Sequence, residues 1–295
     1  MLAIALLTSI MMLACGGSRA EFATETAQRG DFKERDEINQ TYQLAPGARV
    51  EVSSIRGRVE IANSDTTTAE VQIIRTARTR ADLEYHKIEV EQTGNGLVVR
   101  GVQESEDRRH QNVQVNHQVI LKLPRRIDLS VSSISGPLKV GDVDGQTQVS
   151  SISGSAKIGN VGGELRVSSV SGSLDVGNVG AEARVTSISG NARLGQVNGS
   201  LEVTSVSGAM NASLVSLSPQ GITIRSVSGS VEIAFKSEVN ADFNAENISG
   251  DVHLDVPNVI RDSEARSPNV RARIGTGGTP ITISSVSGSI RLTRS

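Results

Sequence analysis

The chain has no tryptophan, and only two tyrosines and four phenylalanines among 295 residues. A compact core of that length ordinarily uses more large rings, so a thin interior is expected. A single cysteine, Cys15, excludes an internal disulfide and any zinc site built from several thiolates. Side chains of Lys and Arg number 30 against 32 of Asp and Glu, a net charge of -2. The basic excess that neutralises nucleic-acid phosphates is missing, so no nucleic-acid partner is expected. Nor does any apolar run reach the ~20 residues of a membrane-crossing helix.

What is present is glycine, 29 of them, amid recurring Val, Ile and Ser. That mixture favours short strands joined by tight turns, an all-β chain. The first 15 residues, MLAIALLTSIMMLAC, form an apolar stretch of signal-peptide length that ends in Met12-Leu13-Ala14 before Cys15. This resembles a bacterial lipoprotein signal, although no Lys or Arg precedes the run. The resemblance implies removal of residues 1–14, lipid on Cys15 and, with Gly16 following, outer-membrane sorting. The alternative is an ordinary secretory signal with an incidental cysteine. Residues 15–39 are polar, lack an apolar period and are expected to be a flexible tether.

Repetition dominates the remainder. The phrase SSISG ends at Gly136 and Gly154, then returns as SSVSG at Gly172, TSISG at Gly190 and TSVSG at Gly208, 18 residues apart each time. Between these lies a weaker phrase centred on Val143, Val161, Val179 and Val197, so the unit is a nine-residue half-repeat in two versions. Apolar residues fall at Leu165, Val167, Val170, Leu174, Val176 and Val179. Gaps of two are strand alternation, and the longer gaps hold Ser, Gly and Asn, which are turn residues. The expectation is a β-solenoid, parallel β-helix-like, with 18-residue rungs of two strands. Ile134, Ile152, Val170, Ile188 and Val206 should stack as one buried ladder, and Val143, Val161, Val179, Val197 and Val215 as the opposite one. Six aliphatics cannot offset the entropy of ordering a rung alone, so rungs should be stable only when stacked. Ser and Gly of the phrase are expected to be corner chemistry, with serines 133, 151, 169, 187 and 205 along one edge.

The same spacing recurs in VEVSSIRGRVEI (Val50–Ile61), ITIRSVSGSVEI (Ile222–Ile233), FNAENISGDVHL (Phe243–Leu254) and ITISSVSGSIRL (Ile281–Leu292), with insertions interrupting the stack. The expected organisation is an N-terminal β cap over 40–128 and a solenoid over 129–295 with a long loop at 255–280. LKLPRRIDLSVSSISG, the serial Ser-Gly units and GTGGTPITISSVSGSIRL together resemble the DUF4097 family, roughly from Tyr42 to Leu292. The resemblance implies an exported or membrane-associated β-repeat protein labelled a bacterial surface adhesin, with its biochemical role undefined.

Candidate chemistry is sparse. His86, His110, His117 and His253 show no metal-ligand spacing beyond the loose pair His110 and His117, and no metal is expected. A calcium β-roll needs an Asp at the same turn of every repeat, but the chain offers Asp142, Asn160, Asn178 and Gln196. Asp142 and Asp144 read as a solvated turn. The outward series Lys139, Lys157, Asp175, Arg193 and Gln148, Arg166, Arg184, Glu202 mix signs and amides without a convergent acid–base pair. They read as a solvated, mildly basic face, with an anionic glycan or lipid headgroup surface as the alternative. Glycine runs at Thr93–Gly96 and Gly275–Gly278 lack a phosphate-loop Lys and read as turns. The Arg-containing insertion 255–280 reads as disorder or a lid, with a binding role as the other possibility. The expected function is therefore non-enzymatic, without cofactor: a lipid-anchored envelope adhesin or scaffold at the outer membrane or cell surface, meeting an envelope protein or a surface glycan. A periplasm-facing accessory protein with an envelope or signalling partner is the alternative, and a glycan-active β-helix enzyme comes third.

Overall fold

The computed structural model describes residues 32–103, 115–246, 248–262 and 269–295, apart from the side chains of the serines at 133, 151, 169, 187, 205, 226 and 285. The expected signal segment, Cys15, most of the tether, His110 and the expected serine edge lie outside this description.

Among the described residues, strands form two sheets, of 12 and 13 members. In the middle, an 18-residue period lays a seven-residue strand in the larger sheet and a strand of three to six residues in the smaller. Thr147–Ser153 is followed by Ala156–Ile158, and Leu165–Ser171 by Leu174–Val176. Successive rungs pair parallel and in register, Val149 on Val167 and Ile152 on Val170. Alternation decides the faces: Ala156 and Ile158 are buried while Lys157 between them is exposed. The ladder Ile134, Ile152, Val170, Ile188, Val206 is buried throughout and continues through Val227 and Val286. A third row of single-residue bridges joins Val143, Val161, Val179 and Val197. The expected next member, Val215, is half-buried; a register shift between Leu194 and Gln196 gives Val197 the partner Leu214 instead.

Stacking explains the terminal glycine of the phrase. Gly154 has φ +143, and a Cβ there would lie 2.6 Å from the carbonyl oxygen of Gly136 one rung below. Gly172 stands on Gly154 in the same way. Backbone fills the space that a side chain would need. The opposite turn uses a side-chain ladder. Asp142 accepts from the backbone N–H of Asn160 at 2.8 Å, Asn160 from that of Asn178 at 2.9 Å, and Asn178 from that of Gln196 at 2.9 Å. Asn63 begins the series by accepting from the N–H of Asp142. These turns are hydrogen-bonded scaffolding.

The ends depart from chain order, and here the expected boundaries are corrected. Strand Ala48–Ser53 pairs parallel with Ile127–Ser135 on one side and with Gly96–Gln103 on the other. Gly57–Ser64 likewise lies between Leu138–Val140 and Val115–Pro124. Residues 48–64 therefore form a rung inside the stack, and the solenoid does not begin at 129. The chain leaves that rung, builds the outer end and returns beneath it. At the other end Thr279–Ser287 and Ile290–Arg294 are inserted between the 222–235 rung and the 241–255 rung. The later repeats are thus reordered rather than interrupted.

Antiparallel strands close the N-terminal end of both sheets and the far end of the larger sheet. Glu34–Gln43 pairs with Thr68–Ala77, which pairs with Val115–Pro124, and His86–Thr93 pairs with Gly96–Gln103. The tether thus gives way to strand at Glu34, before residue 39, where Ile38 packs on the core. A helix over Arg80–Tyr85, missed in the sequence, starts at the capping box of Thr79 and Asp82. The expected loop at 255–280 contains strands Val259–Arg261 and Val270–Ile274, an antiparallel pair that covers strand Ala241–Glu246.

Candidate functional site

Outward charges in the middle rungs engage one another. Arg166 meets Glu164 at 2.7 Å, and Arg184 meets Glu182 at 2.8 Å and Glu202 at 2.7 Å, while Arg225 lies 3.6 Å from Glu202. This network holds the carboxylates that an acid–base pair would require. Among the described residues no three His, Cys, Asp or Glu side chains gather as a metal site. His253 is exposed on the outermost rung beside Arg291. The glycine runs behave as turns: Thr93–Gly96 joins two antiparallel strands, and Gly277 donates back to Ile274.

Buried polar chemistry concentrates at the N-terminal end. Arg75, on strand Thr68–Ala77, is 8% exposed and donates through Nη1 to the carbonyls of Leu83, at 2.9 Å, and His86, at 3.2 Å. Its Nη2 binds the Asp36 carboxylate. One guanidinium thus joins the helix and two edge strands to the body of the end. That hydrogen bond, before any other influence, holds the Asp36 carboxyl below the usual range. Beside Arg75 in register is His117, 4% exposed, on strand Val115–Pro124. Both of its ring nitrogens lie near the backbone of His86 and Arg56, yet neither closes a hydrogen bond of ordinary geometry. Burial, then His86, then Arg75, lowers its pKa to about 4. His86, 8% exposed, sets its ring edge-on to Tyr85 at 5.0 Å. Burial lowers its pKa too; Arg56 adds to the shift and Asp82 opposes it.

These groups border a cavity of about 490 Å³ that also meets Ser54, Arg56, Lys87, Ser135 and Ser153. Sequence reasoning named His86 but paired His117 only with His110, because contact across the rungs joins positions without regular spacing. One signal was available. The phrase ends in Ser-Gly at eight of nine occurrences, and at the ninth Arg56 replaces the serine.

Other cavities lie along the sides. One of about 480 Å³ runs beside Arg58, Lys139 and Lys157, and one of about 460 Å³ lies at the far end beside Ile260, Arg261 and Arg273. Ile260 is a large apolar side chain that remains 66% exposed.

Over residues 48–293 the sequence matches Toastrack DUF4097. The chain belongs to the Toastrack family. Among curated proteins none matches it. Solved structures similar to this Toastrack chain include a "putative adhesin" from Bacteroides fragilis, 12% identical, covering 87% of this chain and 97% of its own, at TM-score 0.33. A "putative cell adhesion protein" from Clostridium sporogenes is 10% identical, covering 89% and 100%, at 0.28. A "putative lipid binding protein" from Parabacteroides distasonis is 10% identical, covering 88% and 95%, at 0.29. With scores this low, the assignment to the Toastrack family rests on the sequence match.

Proposed function

We propose that the protein is a non-enzymatic platform of the cell envelope, exported and held to a membrane by lipid on Cys15, with adhesion or scaffolding as its task. The observation carrying this reading is the parallel stack, flanked by antiparallel strands at its N-terminal end and on its larger sheet at the other, with outward charges that pair from rung to rung. Such a stack holds surface residues at fixed spacing and resists edge-to-edge association. The apolar leader before Cys15 supports export. A surface glycan or an envelope protein is the partner class that fits. The periplasm-facing accessory reading keeps one specific support: Ile260, exposed between arginines on the end-covering hairpin, has the character of a protein contact.

Surface proteolysis of intact cells, with fractionation of wild type and Cys15→Ala, tests both readings. Membrane-bound wild type cleaved from outside, with the variant released, supports the surface platform. Membrane-bound but protected wild type overturns surface display and favours an internal partner. Equal fractionation of both proteins defeats lipid anchoring.

A further inference from the structure

The repeat supplies its own control for reading Arg56. At this corner eight rungs carry serine, so the fold does not require a cation there. Arg56 bridges Ser135 through its backbone as the other rungs do, and its side chain makes no ion pair among the described residues. It faces the same cavity as His86, Lys87 and His117. His117 backs the cavity from a nine-tenths buried position with both ring nitrogens shielded from solvent, so the imidazole left to meet a ligand is that of His86. Among the described residues the nearby carboxylates are already engaged, Asp36 by Arg75 and Asp82 by the capping box. The remaining lining adds the hydroxyls of Ser54, Ser135 and Ser153. A volume of about 490 Å³ suits a small organic molecule better than a bare ion.

We propose that this cavity binds a phosphomonoester group carried on a small organic body. Arg56 supplies the forked donor, His86 supplies a ring N–H donor, and the serine hydroxyls complete the oxygen contacts. The organic body occupies the remaining space toward Gly101 and Val102. This site is independent of how the protein is anchored or displayed. An arriving dianion favours the protonated His86 imidazole, which burial and Arg56 now oppose, so it takes up a proton from solvent on binding. Among the described residues, the charged groups around it are Arg56 at the corner, Arg75, Asp82 on the helix and Lys87.

The test is calorimetric titration of the purified chain with glycerol 3-phosphate, beside sedimentation with vesicles of phosphatidylcholine containing phosphatidic acid. Binding of either probe, at least tenfold tighter at pH 6 than at pH 8 and at least tenfold weaker in Arg56→Ser, supports the site. A soluble phosphomonoester is the ligand source if glycerol 3-phosphate binds, and a lipid headgroup if only the vesicles do. Because serine stands at the eight equivalent corners, Arg56→Ser should keep the wild-type melting temperature, and Arg56→Lys should recover part of the affinity. If neither probe binds wild type more tightly than Arg56→Ser, the proposal is overturned.

Discussion

Between Thr147 and Ser207 every rung rests on the one before it in the chain, whereas at each end the neighbour in space comes from elsewhere. In the middle one set of residues recurs because one geometry recurs: a buried aliphatic, a corner glycine, a turn amide. At the ends the same phrase carries exceptions. Arg56 replaces a serine, Arg75 and His117 are buried polar groups, and antiparallel strands replace the next rung. Regular stacking leaves little room for variation, so distinctive chemistry collects where stacking stops.

The largest effect should come from breaking the middle. Val170 is 1% exposed between Ile152 and Ile188, and Val170→Asp places an uncompensated charge there. It should cost at least about 4 kcal/mol and abolish the cooperative melt. Lys157→Asp, on an exposed side chain 3.9 Å from Asp175, should change stability by less than about 1 kcal/mol. Equal melting of the two variants by circular dichroism would defeat the inward and outward assignment.

Arg75→Met breaks the N-terminal end alone. It removes the donors to Leu83 and His86 and leaves Asp36 without its partner. Because the Asp36 carboxylate is 25% exposed, the cost should sit near the lower end for a broken buried pair, about 3 kcal/mol. Hydrogen exchange should speed up in Glu34–Gln43 and His86–Thr93 while Leu165–Ser171 stays protected. Uniform loss of protection would mean that end and middle form one cooperative unit.

Acid should distinguish the two regions without mutation. His117 has a folded pKa of about 4 against 6.5 in an unfolded chain, so the unfolded state binds the proton first. Its contribution is present above about pH 6.5 and is lost as pH falls toward 4, with about 2 kcal/mol gone by pH 5. Asp36 acts in a lower window, because its pKa is depressed from 3.8 and its contribution fades only below that value. Urea unfolding at pH 7 and pH 5 should show the loss in wild type and little of it in His117→Asn. A loss that persists in the variant would assign the acid sensitivity elsewhere.

Much of this architecture was legible because periodic residues report periodic geometry. Val170 and Lys157 declare opposite faces by alternation alone, and the three extra residues before Ile222 announce a longer rung. The order of the end rungs was hidden: VEVSSIRGRVEI and ITISSVSGSIRL carry the phrase but no mark of which neighbour they will meet. Nor did spacing join Arg75, His86 and His117, which meet only after the chain has doubled back. Glu34–Gln43 was obscured because it is a mostly exposed edge strand, with few apolar residues to reveal it.

A further small effect bears on whether reordering changes the turn itself. Asn160 lies 18 residues before the N–H it receives, at Asn178, and Asn63 lies 79 before its own, at Asp142. Both are ladder bonds at turns within reach of water, so Asn160→Ala and Asn63→Ala should each cost about 0.5–1.5 kcal/mol in urea midpoint experiments. Similar costs would mean that the turn responds to local stacking and is indifferent to the intervening chain. A much larger cost at Asn63 would show that the junction between the doubled-back end and the regular rungs depends on this side chain. The end would then be held by a few contacts, where the middle is held by many equivalent ones.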